Sequence, residues 1–109
     1  MTDPGRKYYS DIVQAIHLIE EFTVEVKTFE QYCSDLKTKS AVERQLVILG
    51  EAMNMLRKTD PLIVEHAQQI TSFRNRLVHA YDSIDDSIVW LIIQRYLAPL
   101  KAEVEQKLC

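Results

Sequence analysis

The sequence contains very few of the residues that interrupt regular secondary structure. Its 109 residues include two glycines and three prolines. An all-β fold needs turn residues at frequent intervals, so this shortage argues against one and favours a few long helices. The length is that of one domain, which we expect to span residues 1–109.

Cysteines and long apolar runs are also scarce. Cys33 and Cys109 are the only cysteines, and no Cys or His residues have the spacing of metal ligands, so no metal or other cofactor is expected. No apolar run approaches the roughly 18–20 residues of a membrane span. Residues 1–7 lack the apolar centre of a secretory signal. We therefore expect a cytoplasmic protein without membrane contact.

The charge balance restricts the kind of partner. The formal net charge is −3, with 47% hydrophobic and 27% charged residues, an ordinary balance for a soluble globular protein. A general affinity for polyanions is not expected from this composition. Any contact with nucleic acid has to be local, or made by an oligomer that gathers basic side chains in one place.

Apolar residues recur at steps of three and four, which predicts an all-α, up-and-down bundle of four to five helices. The first pattern runs from about Tyr8 to Val26, and Thr28 is suited to cap a brief second helix or a turn. The next pattern, residues 41–56, is apolar on two sides, as in a central helix or one facing another subunit. Gly50 within it indicates a neighbouring helix that crosses closely.

The second half of the chain predicts two more helices. Asp60 and Pro61 are suited to begin one that runs to about Tyr81. Asp85 or Asp86 is suited to cap the last helix, which Pro99 should kink or divide. The predicted apolar side of that helix consists of Ile88, Leu91, Ile92, Tyr96, Leu97, Leu100, Val104 and Leu108.

The end of the third long helix carries the candidate chemistry, in the run Arg74-Asn75-Arg76-Leu77-Val78-His79-Ala80-Tyr81. Asn75 and His79 share a helix face, whereas Arg74 lies about 140° around the axis, so Arg74 and His79 can both reach a groove beside the helix. Histidine moves protons near neutral pH, and arginine matches phosphate geometry. These groups suffice to cleave RNA without metal, because the substrate's own 2′-hydroxyl is the nucleophile.

The spacing of these residues, taken alone, favours a second interpretation, in which the run is an ordinary helix end. In that interpretation Arg74 and Arg76 are solvated, and His79 interacts with the carbonyl groups at the helix C-terminus.

A family resemblance that extends beyond residues 74–81 favours the catalytic interpretation. The run 74–81, with Ile84-Asp85 and Ile88-Val89-Trp90 after it, resembles the HepT-like branch of the HEPN superfamily, small toxins encoded beside minimal nucleotidyltransferase antitoxins. Residues 9–22, beginning Tyr9-Ser10-Asp11-Ile12, resemble the first helix of that family. Residues 43–52, beginning Glu43-Arg44-Gln45-Leu46, resemble its second. The resemblance therefore covers nearly the whole chain in the expected order.

The resemblance implies a helical bundle that forms a homodimer, with two copies of the motif in one cleft and RNA as the substrate. It implies that Arg74 and His79 are catalytic and that Asn75 is a polar helper. Tyr81 stands where a partner nucleotidyltransferase attaches AMP in this family, which would add bulk and negative charge beside His79. Arg76 is a candidate RNA contact. Lys37, Lys39 and Arg44 are better explained as a solvated helix face.

Other functions compete with this hypothesis, and other residues have simpler explanations. The chain could be a non-catalytic helical partner that regulates a nucleotidyltransferase or binds nucleotides, or a dimerisation bundle without chemistry.

His17 and His66 are interpreted as structural or surface residues, and Trp90 as packing. The acidic group Asp82, Asp85 and Asp86 is explained by helix capping. The three residues Glu43, Glu51 and Glu65 lack the Glu-x-x-His spacing of a bundle metal site.

Overall fold

In the computed structural model, residues 4–59 and 85–108 are described, and every regular element in them is a helix. The elements are α1 (Pro4–Phe22), α2 (Phe29–Ser34), α3 (Leu36–Thr59), α4 (Asp86–Leu91), a π-helical segment (Ile92–Tyr96) and α5 (Leu97–Leu108). The last three form one continuous helix, because Leu91 and Leu97 at the boundaries have helical dihedral angles. The predicted all-α class is confirmed. The helix predicted from Asp60 to Tyr81 lies outside the described residues.

Helix α1 buries the apolar face that its sequence predicts, with Ile12, Ile16 and Ile19 fully inaccessible to solvent. The helix ends at Phe22, so the predicted continuation to Val26 is wrong. At this end of the helix the Ile19 carbonyl accepts hydrogen bonds from both the Thr23 hydroxyl, at 2.8 Å, and the Thr23 backbone N–H, at 3.0 Å. Val26 still packs against the core from the connecting segment.

The short helix α2 begins with a capping box, as Thr28 suggested. Thr28 has extended backbone angles, and its side chain accepts a hydrogen bond from the Gln31 backbone N–H at 3.1 Å. In return, the Gln31 side chain accepts one from the Thr28 backbone N–H at 3.3 Å. Two N–H groups that the helix leaves unpaired are thereby satisfied, which stabilises a helix of only six residues.

Helix α3 lies at the centre of the described structure and packs against both α1 and α2. Asp35 caps its start, because the Asp35 carboxylate accepts hydrogen bonds from the Thr38 backbone N–H at 3.0 Å and from the Thr38 hydroxyl at 2.6 Å. Gly50 is buried, as expected for a close crossing. The apolar positions with at most 1% exposure are Val42, Leu46, Leu49, Met53 and Leu56.

A π-helical segment lies just before the proline of the last helix. Pro99 has no N–H, and its ring crowds the carbonyl four residues back, that of Arg95. Just before it, the Leu97 N–H donates to the carbonyl of Ile92, five residues back, which is the π-helical pattern. The α-helical hydrogen bonding is thus divided at Ile92–Tyr96, and the helix continues past Pro99 to Leu108.

The same segment shifts the buried face of the last helix. The buried positions are Val89, Ile92, Leu97, Leu100 and Val104, and the step from Ile92 to Leu97 is five residues instead of three or four. The sequence pattern missed Val89. It also placed Leu91 on the apolar side, although Leu91 is 41% exposed.

Candidate functional site

The residues predicted to carry the chemistry all lie between residues 60 and 84, outside the described residues. They are Arg74, Asn75, Arg76, His79 and Tyr81, and their roles stay predictions. The structure does describe the end of α3 before this stretch and the start of α4 after it.

Asp85 caps the start of α4 and thereby resolves the choice between two neighbouring aspartates. Its side chain accepts a hydrogen bond from the Ser87 backbone N–H at 2.9 Å. Asp86 has a different role: its Oδ2 atom accepts a hydrogen bond from the Lys39 ammonium at 2.8 Å. The capping explanation therefore holds for Asp85 and is wrong for Asp86, which links α4 to α3.

The Lys39–Asp86 ion pair corrects the interpretation of Lys39 as part of a solvated helix face. The two side chains are only 19% and 22% exposed. Hydrogen bonding to Asp86 raises the pKa of Lys39, although partial burial opposes the charge. Lys37 and Arg44 on the same helix are exposed, as predicted.

Aromatic rings pack beside this ion pair. The Trp90 ring centroid lies 6.4 Å from that of Phe29 and 5.8 Å from that of Tyr32, both in tilted arrangements. The interpretation of Trp90 as a packing residue is confirmed, and its ring connects α4 to α2. Tyr32 is fully buried, and its hydroxyl has no hydrogen-bond partner among the residues described here. Burial raises the pKa of Tyr32, with nearby Glu43 and Asp86 adding to the effect.

Two more ionisable groups near this ion pair have raised pKa values. Burial raises the pKa of the Glu43 carboxyl, Asp86 raises it further and Lys39 opposes the shift. Burial also raises the pKa of the Cys33 thiol, helped by Asp86. Because the thiol is favoured over the thiolate, Cys33 is not poised as a nucleophile. We call the set of neighbouring residues around the Lys39–Asp86 ion pair the junction. It consists of Tyr32, Cys33, Lys39, Glu43, Asp86 and Trp90.

A shallow groove of about 190 Å³ lies between α1 and α3. The Lys7 ammonium binds Asp11 at 3.0 Å and lies 5.2 Å from the centroid of the Tyr8 ring, so the main charges of the groove are paired. Residues from the start of α1 line it together with residues from the later half of α3, so the two helices run in opposite directions. The lining residues are Lys7, Tyr8, Asp11, Ile48, Glu51, Ala52 and Met55.

The remaining candidates in the described part of the chain carry no site chemistry. His17 is exposed and its Nε2 atom lies 3.1 Å from Glu21, so the surface interpretation is confirmed. Across residues 4–59 and 85–108, no three His, Cys, Asp or Glu side chains gather in a way that could hold a metal ion. No helix in these two stretches is long and apolar enough to cross a membrane.

The described residues define the class of protein as a small all-α domain with an apolar helical core and a polar contact at the start of its last helix. A model of the family described as "Ribonuclease HepT-like" matches residues 12–106. The chain belongs to the HepT-like ribonuclease family.

Curated relatives carry ribonuclease names. The "Probable ribonuclease HepT" of Thermococcus cleftensis is 36% identical over 105 residues, which cover 93% of each chain. A "Putative RNase" of Methanocaldococcus jannaschii is 32% identical over 92 residues, covering 81% of this chain and 74% of its own. Another "Putative RNase", from Caldanaerobacter subterraneus, is 28% identical over 105 residues, covering 93% of this chain and 91% of its own. No solved structure matches the chain.

Proposed function

We propose that this protein is a metal-independent endoribonuclease in which Arg74 and His79 carry out the cleavage. The observation that carries the proposal is the match to the ribonuclease family over residues 12–106, a range that includes the whole run 74–81. The relatives named as ribonucleases match over most of their length, which supports an activity of the whole domain.

The chemistry requires only groups that this run contains. The 2′-oxygen of RNA attacks the adjacent phosphorus, the bond to the 5′-oxygen breaks, and a 2′,3′-cyclic phosphate forms. His79 takes the proton of the 2′-hydroxyl as its base, and a protonated His79 donates a proton to the departing 5′-oxygen as its acid. Arg74 stabilises the negative charge that develops on the phosphate oxygens. Asn75 helps to orient the phosphate, and Arg76 contacts the RNA backbone.

The proposal includes a homodimer, which would offset the acidic net charge of a single subunit. With a formal net charge of −3, one subunit has no general attraction for RNA. Two subunits that face each other through the motif would place two copies each of Arg74, Arg76 and His79 around one cleft. That local concentration of positive charge would attract the RNA backbone although the protein as a whole repels it.

Purified protein incubated with bulk RNA in EDTA tests the activity. We expect fragments that end in 2′,3′-cyclic phosphate, and we expect both Arg74→Ala and His79→Ala to abolish them. Matched controls are Arg95→Ala and His17→Ala, which remove an exposed arginine and an exposed histidine elsewhere and should leave cleavage unchanged. Absence of cleavage by folded, unmodified protein would contradict the proposal and favour a non-catalytic partner of a nucleotidyltransferase.

We also propose that the protein is the toxin of a toxin–antitoxin pair and that Tyr81 is its off-switch. In the expected reaction, the Tyr81 hydroxyl attacks the α-phosphorus of ATP on a partner minimal nucleotidyltransferase, and pyrophosphate leaves. The attached AMP adds negative charge two residues from His79, where the RNA phosphate has to bind. Co-expression with the nucleotidyltransferase should add the mass of one AMP and abolish cleavage. An unchanged mass, or the same added mass in Tyr81→Phe, would contradict this switch.

A further inference from the structure

The Lys39–Asp86 ion pair links two points of the chain that are far apart in sequence. The Lys39 ammonium donates to Asp86 Oδ2 at 2.8 Å across a separation of 47 residues. The side chains are 19% and 22% exposed, so solvent screens their attraction only partly. Asp86 is the first residue of α4, so the ion pair attaches the beginning of that helix to α3.

Neighbouring contacts hold the same point from a second direction. The Cys33 thiol of α2 lies close enough to Asp86 that the carboxylate helps to raise the pKa of the thiol, after burial. One turn further along α4, Trp90 packs on the rings of Phe29 and Tyr32. The start of α4 is therefore held by a charge contact to α3 and by ring contacts to α2.

Chain connectivity relates this fixed point to the proposed catalytic residues. His79 precedes Asp86 by seven residues and Tyr81 precedes it by five. The start of α4 is the first described part of the chain after these two residues, and the ion pair acts on it directly.

We propose that Lys39 is a positioning residue for the ribonuclease site, because its ion pair with Asp86 anchors the chain that leads to His79 and Tyr81; the proposal rests on the proposed function. Lys39 acts through Asp86 and does not contact RNA, since its ammonium is already bound to a carboxylate. Loss of either partner leaves a partly buried charge without its counterion and releases the start of α4.

A second ion pair provides a matched control. Lys101 of α5 binds Glu20 of α1, also at 2.8 Å, with side chains 26% and 43% exposed. It links two helices as the first pair does, but it is not adjacent in sequence to the proposed motif. Lys101→Gln and Lys39→Gln thus remove the same charge and one interhelical ion pair each.

RNA cleavage kinetics of the full chain test the proposal. A misplacement of about 1 Å at a reacting group can cost on the order of a hundredfold in rate, so we expect Lys39→Gln and Asp86→Asn to lower kcat by about tenfold to a hundredfold. KM and its dependence on salt should stay unchanged. Lys101→Gln should keep the wild-type kcat. The charge-swapped variant Lys39→Asp with Asp86→Lys should recover a large part of the lost kcat.

Three outcomes would overturn the proposal. A rise in KM with a shallower salt dependence in Lys39→Gln would make Lys39 an RNA contact. An equal loss of kcat in Lys101→Gln would make the effect one of general stability. Failure of the charge swap to recover any kcat in a protein with wild-type helicity would remove the role of the ion pair.

An inactive wild-type protein would instead contradict the proposed function. Amide hydrogen exchange of residues 85–91 then decides whether the anchor exists. Faster exchange in Lys39→Gln, but not in Lys101→Gln, supports an anchor, whereas unchanged exchange overturns it.

Discussion

The contacts between α1 and α3 and those around the start of α4 differ in the side chains that make them. The first region is apolar, and Ile12, Ile16, Leu46 and Leu49 are completely buried there. The junction combines aromatic rings with an ammonium, two carboxylates and a thiol. Apolar burial is non-directional and scales with area, whereas the junction depends on the positions of individual polar atoms. The core therefore supplies most of the stability, and the junction holds the start of α4 against α2 and α3.

The largest effect should come from a cavity in the apolar region. Leu46→Ala removes a side chain that is 0% exposed, so we expect the free energy of unfolding to fall by about 2 to 5 kcal/mol. Urea denaturation followed by circular dichroism measures it. Leu36→Ala, on the same helix at a position 72% exposed, should change the stability by less than about 0.5 kcal/mol. Equal losses in the two variants would show that α3 does not pack as described.

A smaller effect of opposite sign is expected in the junction. Tyr32→Phe removes a buried hydroxyl without a partner among the described residues, so the free energy of unfolding should rise by roughly 0.5 to 1 kcal/mol. Tyr8→Phe, at a partly exposed position on α1, is the control and should change it little. A loss of stability in Tyr32→Phe would mean that the hydroxyl forms a hydrogen bond in solution.

The smallest effect is a dependence on pH at Glu43. The folded-state pKa of its carboxyl is raised above the ordinary value of 4.5, so its favourable contribution is present below that value and is lost as the pH rises through the folded-state pKa. Thermal denaturation of wild type and Glu43→Gln should therefore show a Tm advantage of the variant that is larger near neutral pH than at about pH 4. An advantage that is constant with pH would exclude Glu43 as its source.

The two regions also differ in how far the sequence could predict them. The apolar spacing in α1 and α3 identified Ile12, Leu46 and Met53 as buried, because a regular helix places such residues on one face. In the last helix the same reasoning failed at Val89 and Leu91, since the π-helical segment changes the spacing of the buried face.

The polar contacts of the junction could not be predicted from any pattern in the sequence. Lys39 and Asp86 are 47 residues apart, and the sequence offers each of them many partners of opposite charge. Only the packing of α2, α3 and α4 selects this pair. Asp85 and Thr28 could be predicted as helix caps because capping is a local interaction. The roles of Arg74, His79 and Tyr81 depend on the resemblance to the family and stay predictions.

The ring contacts of Trp90 give the protein an internal optical reporter. Trp90 is the only tryptophan in the chain, and its indole ring packs 5.8 Å from the Tyr32 ring. Its fluorescence emission therefore reports on the surroundings of α4, whereas far-ultraviolet circular dichroism averages over all helices. If the emission shifts at a lower denaturant concentration than the helical signal, the start of α4 detaches as a separate unit before the rest of the domain unfolds.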